Sequence, residues 1–150
     1  MRKSILYLPF LLLLYHSSNG QSTPVFWSFG SKKVADNRYK IALSADVQSP
    51  WHIYSQHTPD GGPVPTKITF NKNPLVIVES EVTESGKKVT KYEDVFDVNV
   101  IYFEGVVDFI QIVKLKTKAK TTITGKIEFM ICNDQQCLPP AEVPFSIPLN

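Results

Sequence analysis

The chain has 150 residues, with 16 Lys and Arg against 14 Asp and Glu and a formal net charge of +2. Setting aside Arg2 and Lys3 leaves 14 basic against 14 acidic side chains, a balance that argues against a nucleic-acid or anionic-membrane partner. The length suits one domain with a proper core and is too short for two. At the N-terminus, Arg2 and Lys3 precede an apolar run from Ile5 to Tyr15, and the small residues Ser18 and Gly20 stand just before Gln21. This is the pattern of a secretory signal peptide over residues 1–20, because the run is short for a bilayer and ends abruptly at His16-Ser17-Ser18-Asn19-Gly20. A soluble, exported domain over residues 21–150 is therefore expected.

Pro24 to Phe29 reads as an aromatic strand, broken by Gly30-Ser31-Lys32-Lys33. Arg38 to Gln48 alternates cleanly, with Ile41, Leu43, Ala45 and Val47 on one face. Ser49-Pro50 reads as a turn. The next segment puts Trp51 and Ile53 inward and leaves His52 and Tyr54 together on the other face. Thr58-Pro59-Asp60-Gly61-Gly62-Pro63 is a loop, since proline fixes one backbone angle and glycine permits the left-handed one. Short β-branched runs follow at Val64 to Phe70, Leu75 to Glu79 and Lys87 to Tyr92. Glu93-Asp94-Val95-Phe96-Asp97 then reads as a loop with an aromatic tip. Strands are expected at Val98 to Phe103 and Val106 to Leu115, joined at Glu104-Gly105. Lys114, Lys116, Lys118 and Lys120 alternate with other residues in the manner of a solvated edge. A last strand carries Val143, Phe145, Ile147 and Leu149, and Pro144 and Pro148 on its other face mark it as an edge. There is no convincing amphipathic helix. The fold class is all-β, an antiparallel immunoglobulin-like β-sandwich.

The segment Ile131-Cys132-Asn133-Asp134-Gln135-Gln136-Cys137-Leu138-Pro139-Pro140 holds both cysteines. The apolar positions Ile123, Ile127, Phe129 and Ile131 share one parity, so Cys132 is expected to point outward and both thiols to lie near the surface. Pro139-Pro140 keeps a helix from starting after Cys137 and holds its backbone extended. In an exported chain such a pair is able to form a disulfide. Spacing and parity leave two roles open. One is a structural staple, in a loop so short that it would stabilise the fold by only about 2 kcal/mol; the other is an exchanging redox pair. Metal binding by the cysteines with His52 and His57 is a distant third reading, because histidines five apart on a strand face opposite ways. A metal or other cofactor is not expected.

These residues carry a resemblance. Trp51-His52-Ile53-Tyr54-Ser55-Gln56, the Gly61-Gly62-Pro63-Val64-Pro65 turn, the Glu93-Asp94-Val95-Phe96 loop and the cysteine segment with its trailing prolines resemble the N-terminal periplasmic domain of the thiol:disulfide interchange protein DsbD. The likeness runs over about Pro24 to Leu149, with one residue fewer between the cysteines than in the best-known member. It implies an immunoglobulin-like domain in the periplasm. There Cys132 and Cys137 take electrons from a thioredoxin-like domain of a membrane electron transporter and pass them to a disulfide isomerase or a cytochrome-maturation thioredoxin. It implies further that Cys137 forms the mixed disulfide, that Phe96 caps the pair until a partner displaces it, and that Tyr54 stands beside it. Glu93 and Asp94, with Asp134, would disfavour the thiolate if they lie near it. A monomer is expected. The competing reading is a secreted β-sandwich interaction module with a purely structural disulfide.

Overall fold

In the computed structural model, which describes residues 23–150, the alternating segments form nine strands. They are β1 (Val25–Ala35), β2 (Arg38–Tyr54), β3 (Lys67–Phe70), β4 (Val76–Val78), β5 (Thr83–Glu93), β6 (Val98–Leu115), β7 (Thr121–Phe129), β8 (Ile131–Cys132) and β9 (Ala141–Leu149). Residues 1–20, where a signal peptide is expected, lie outside the described residues. One sheet runs β1-β2-β6-β4, with β5 also paired to β6 and β8 also paired to β2; the other runs β3-β7-β9. Every pairing is antiparallel. The expected all-β, immunoglobulin-like sandwich is what the chain forms.

Two-residue periodicity explains the packing. The odd positions Ile41, Leu43, Ala45 and Val47 of β2 and Val107, Phe109 and Val113 of β6 are buried against Ile123, Ile127 and Phe129 of β7 and Phe145, Ile147 and Leu149 of β9. Gly125 is required in the middle of β7, because a Cβ there would stand 2.2 Å from the Thr69 carbonyl oxygen and 2.4 Å from the Phe145 ring. As expected, the proline-bearing β9 is an edge strand, and Pro144 and Pro148 face solvent.

Three expected breaks turn out to be continuous strand. Gly30 to Lys33 stays in the ladder, pairing with Ala42 down to Tyr39, and the chain reverses instead at Asp36-Asn37, where Asn37 has φ 59°. Ser49-Pro50 is a bulge inside β2: Val47 pairs with Gly105, and the next partner, His52, pairs with Glu104. Glu104-Gly105 likewise does not separate two strands. It is a kink within the 18-residue β6, absorbed by Gly105 at φ 67°. Proline and glycine mark bulges as well as turns, and here the neighbouring strand carries the ladder across each irregularity.

The chain changes sheets at Met130. β7 ends at Phe129 in the three-stranded sheet, and β8 then pairs with β2 in the other, Ile131 opposite Ile53 and Cys132 opposite His52. This crossing adds the start of the cysteine segment to the larger sheet beside the end of β2, with Ile131 in the main core and Cys132 on the opposite face.

Candidate functional site

Cys132 follows the core residue Ile131 and so projects from the face away from the main core, as parity requires. It is not at the surface, however. Tyr54, Val100 and Tyr102 project from the same outer face of β2 and β6 and bury Cys132 to 2% exposure, with Val89, Val98 and Met130 around them. The expectation of two surface thiols is corrected to one buried and one exposed, because a second, smaller apolar cluster covers this end of the outer face. Cys137 alone is exposed.

The loop between them is closed by its own backbone. Asn133 N–H donates to the Gln136 carbonyl at 2.9 Å, and Leu138 N–H donates to the Ile131 carbonyl at 3.0 Å. The Asn133 side-chain oxygen accepts from the N–H groups of Gln135 and Gln136 at 2.9 and 2.8 Å, the usual work of an asparagine at a turn. Cys132 and Cys137 are joined in a disulfide with their Cα atoms 4.0 Å apart.

Tyr54 ends β2 and is held there from behind. Thr66 Oγ1 donates to the Tyr54 carbonyl at 2.5 Å, and Tyr54 N–H meets the Met130 carbonyl at 3.5 Å. The following residue, Ser55, donates through Oγ to Glu84 at 2.7 Å. Burial pushes the Tyr54 hydroxyl up to about 12, with Glu93 and then Tyr102 adding to the shift, so it stays protonated at neutral pH. His52 approaches this hydroxyl with Nε2 at 3.2 Å, and its ring lies 4.2 Å from that of Tyr102. Burial lowers the His52 imidazole from its ordinary value, against the opposing pull of Asp134, Glu93 and Glu104.

The Phe96 loop closes the other side. β5 and β6 are joined through Asp94–Asp97, with the N–H groups of Phe96 and Asp97 donating to the Glu93 carbonyl at 3.1 and 2.9 Å. Asp97 takes φ 56°, and its carboxylate accepts from the Tyr92 hydroxyl. Phe96 is 37% exposed, whereas Val95 beside it is 87% exposed.

Phe96, Tyr54, His52 and Glu93 line one concavity of about 430 Å³ with Cys132 and Cys137. Lys91, Asn133 and Asp134 complete its wall, and Lys91 pairs with Glu93 at 3.0 Å. Asp94 is exposed and is not part of this lining. His57 lies in the turn after β2, exposed and apart from the cysteines. Tyr102 has no motif of its own. Its signal is that β6 is apolar at both parities from Val100 to Phe103, the mark of a strand covered on both faces. Chemically, the arrangement presents one exposed cysteine to an incoming thiolate and holds the other beside aromatic rings.

The family described as thiol:disulfide interchange protein DsbD, N-terminal, matches residues 26–147. Among solved structures, the chain is similar to the DsbD N-terminal domain of Neisseria meningitidis in its reduced form, at 14% identity and a TM-score of 0.54 over 83% of this chain and 86% of that one. It is also similar to the N-terminal periplasmic domain of ScsB from Proteus mirabilis, at 16% identity and a TM-score of 0.51 over 83% of this chain and 44% of that one. At such identities these two likenesses speak for the fold. No match was found among curated proteins.

Proposed function

The chain belongs to the DsbD N-terminal family of thiol:disulfide interchange proteins, and from this we propose that it relays electrons by thiol-disulfide exchange at Cys132 and Cys137. The observation that carries the reading is the unequal exposure of the two cysteines. Cys137 is open to a partner, and Cys132 is buried behind it at 2% exposure. Exchange proceeds through attack on one sulfur and departure of the other, so a pair with one reachable sulfur has a defined order of events. Reduction begins when a partner thiolate attacks Cys137 and Cys132 leaves. Oxidation begins when Cys137 attacks a partner disulfide, and Cys132 then closes the ring and releases the reduced partner.

The finer parts of the reading follow. The donor is a thioredoxin-like domain of a membrane electron transporter. The acceptor is a periplasmic disulfide isomerase or a cytochrome-maturation thioredoxin. Residues 1–20 direct export, and residues 21–150 work in the periplasm as one soluble domain. Phe96 caps the concavity on the Cys132 side of the pair until a partner displaces its loop, while Tyr54 packs beside Cys132. Glu93 and Asp134 repel a forming thiolate and so slow reaction with bystanders.

The test is non-reducing electrophoresis with a thioredoxin-like partner lacking its resolving cysteine. Cys132→Ser is expected to trap a covalent complex through Cys137, and Cys137→Ser to trap little or none. Equal trapping would overturn the order of events. Trapping by neither variant would favour a purely structural disulfide.

A further inference from the structure

The register of four neighbouring strands lines up a row of side chains on the outer face. Cys132 of β8 stands opposite His52 of β2, His52 stands opposite Glu104 of β6, and Glu104 stands opposite Lys87 of β5. Directly opposed residues in an antiparallel pair have Cβ atoms about 5 Å apart on one face, close enough for side chains to meet. Thiol, imidazole, carboxylate and ammonium therefore follow one another across the sheet. The far end of the row is an ion pair between Lys87 and Glu104. The near end is the buried sulfur, whose other neighbours are the rings of Tyr54 and Tyr102 and the side chain of Val100.

We propose that His52 is the base that takes the Cys132 proton in the ring-closing half of the exchange, with Glu104 supporting the imidazolium that forms. The proposal rests on the exchange reading above. Cys132 must lose its proton to attack, yet it is buried, and Glu93 and Asp134 disfavour an anion beside it. Lys91, the cation in the wall, is engaged by Glu93. His52 lines the concavity that holds both cysteines, and it also lines a second one of about 490 Å³ with Trp51, Lys87, Glu104 and Asp134. It thus has the sulfur on one side and an opening to solvent on the other, a suitable seat for a group that must take up a proton and release it. The Tyr54 hydroxyl fixes the ring through Nε2.

In the step itself, the mixed disulfide between Cys137 and the partner is already formed. The Cys132 thiol gives its proton to the neutral His52 imidazole, and its electron pair attacks Cys137 Sγ. The Cys132–Cys137 bond forms, the Cys137–partner bond breaks, and the partner leaves as a thiolate that accepts a proton from solvent. The carrier is oxidised by two electrons and the partner disulfide is reduced; His52 then returns its proton to water. In the reverse direction the His52 imidazolium protonates Cys132 as it is expelled.

The groups facing the imidazole are Asp134, Glu93, Lys91, Glu104, Lys87, Tyr54 and Tyr102. Burial dominates this environment and keeps the ring neutral, the form a base requires, at neutral pH.

Stopped-flow reaction of the reduced full chain with excess dithiobis-nitrobenzoate separates the two halves. Capture by Cys137 releases one coloured thiolate in a phase that depends on reagent concentration. Closure by Cys132 releases the second in a phase that does not. At pH 7 the ratio of closure to capture is expected to fall about a hundred-fold in His52→Gln, within the range of a single general base. His52→Phe, which keeps a ring on Tyr102, should be equally slow, and added imidazole should restore part of the rate. Wild-type closure should be nearly level across neutral pH, whereas closure in His52→Gln should climb about tenfold per pH unit towards thiol ionisation. Wild-type behaviour in His52→Phe would show that the residue only packs. An unchanged closure phase in His52→Gln would overturn the role of His52 alone. A wild type that shows no reagent-independent closure would overturn the exchange reading beneath it.

Discussion

Reducing the disulfide should leave the fold standing and weaken it by only about 2 kcal/mol. The two cysteines are 5 apart in sequence, and loop-closure entropy over so short a ring gives about that figure. The native loop also keeps its closure without the sulfur bond, because the Asn133–Gln136 and Leu138–Ile131 backbone hydrogen bonds and the Asn133 side chain hold it shut. For a domain of this size about 2 kcal/mol corresponds to a fall in Tm of about 6–10 °C. The linkage is mutual: what the disulfide adds to the fold, the fold adds to the disulfide. About 2 kcal/mol lowers the reduction potential by only about 40 mV relative to the same loop in the unfolded chain. A carrier requires this weak coupling, since it must remain folded in both states. Denaturant titration of the oxidised protein, of the reduced protein and of a double Cys→Ser variant measures it. Unfolding on reduction, or a loss above about 4 kcal/mol, would identify the bond as a structural staple and refute the reasoning.

Replacing Phe96 by Ala should increase the thiol-labelling rate of the reduced protein several-fold while lowering stability by about 1 kcal/mol, because the ring is already 37% exposed. A large fall in Tm without faster labelling would make Phe96 an ordinary core residue. Alkaline titration should weaken the fold through Tyr54. Its hydroxyl is pushed up to about 12 in the folded state against 10.0 for the ordinary group, so the unfolded chain ionises first as pH rises. Stability is fully present below pH 10.0 and is lost through the window from there to about 12, by about 2 kcal/mol at its upper end. Denaturant midpoints of wild type and Tyr54→Phe across that window should diverge by this amount. Parallel curves would place Tyr54 in a better-hydrated setting than its burial implies.

Strict alternation along Arg38 to Val47, Ile123 to Ile131 and Val143 to Leu149 was enough to determine which residues build the core and that the chain is all-β, because in a strand parity alone assigns a face. The same alternation put Trp51 and Ile53 on one side of β2 and His52 and Tyr54 on the other. Sequence also located the segment proposed for exchange, since both cysteines lie in it, and the motifs around Tyr54 and Phe96 pointed to the family. Parity says which face a residue takes, however, and not what else covers that face. Cys132 was correctly directed away from the main core, yet its burial depends on Tyr54, Val100 and Tyr102 arriving from two other strands. Proline and glycine marked the irregular points at Ser49-Pro50 and Glu104-Gly105 but did not distinguish a bulge from a turn, because that depends on whether a neighbouring strand continues the ladder. The change of sheets at Met130 is invisible in the sequence for a similar reason, being set by which hydrogen-bonding edge lies within reach after Phe129. That crossing brings Cys132 opposite His52, so the pairing of cysteine with histidine, 80 residues apart in the chain, comes from strand register, a long-range choice that local pattern does not encode.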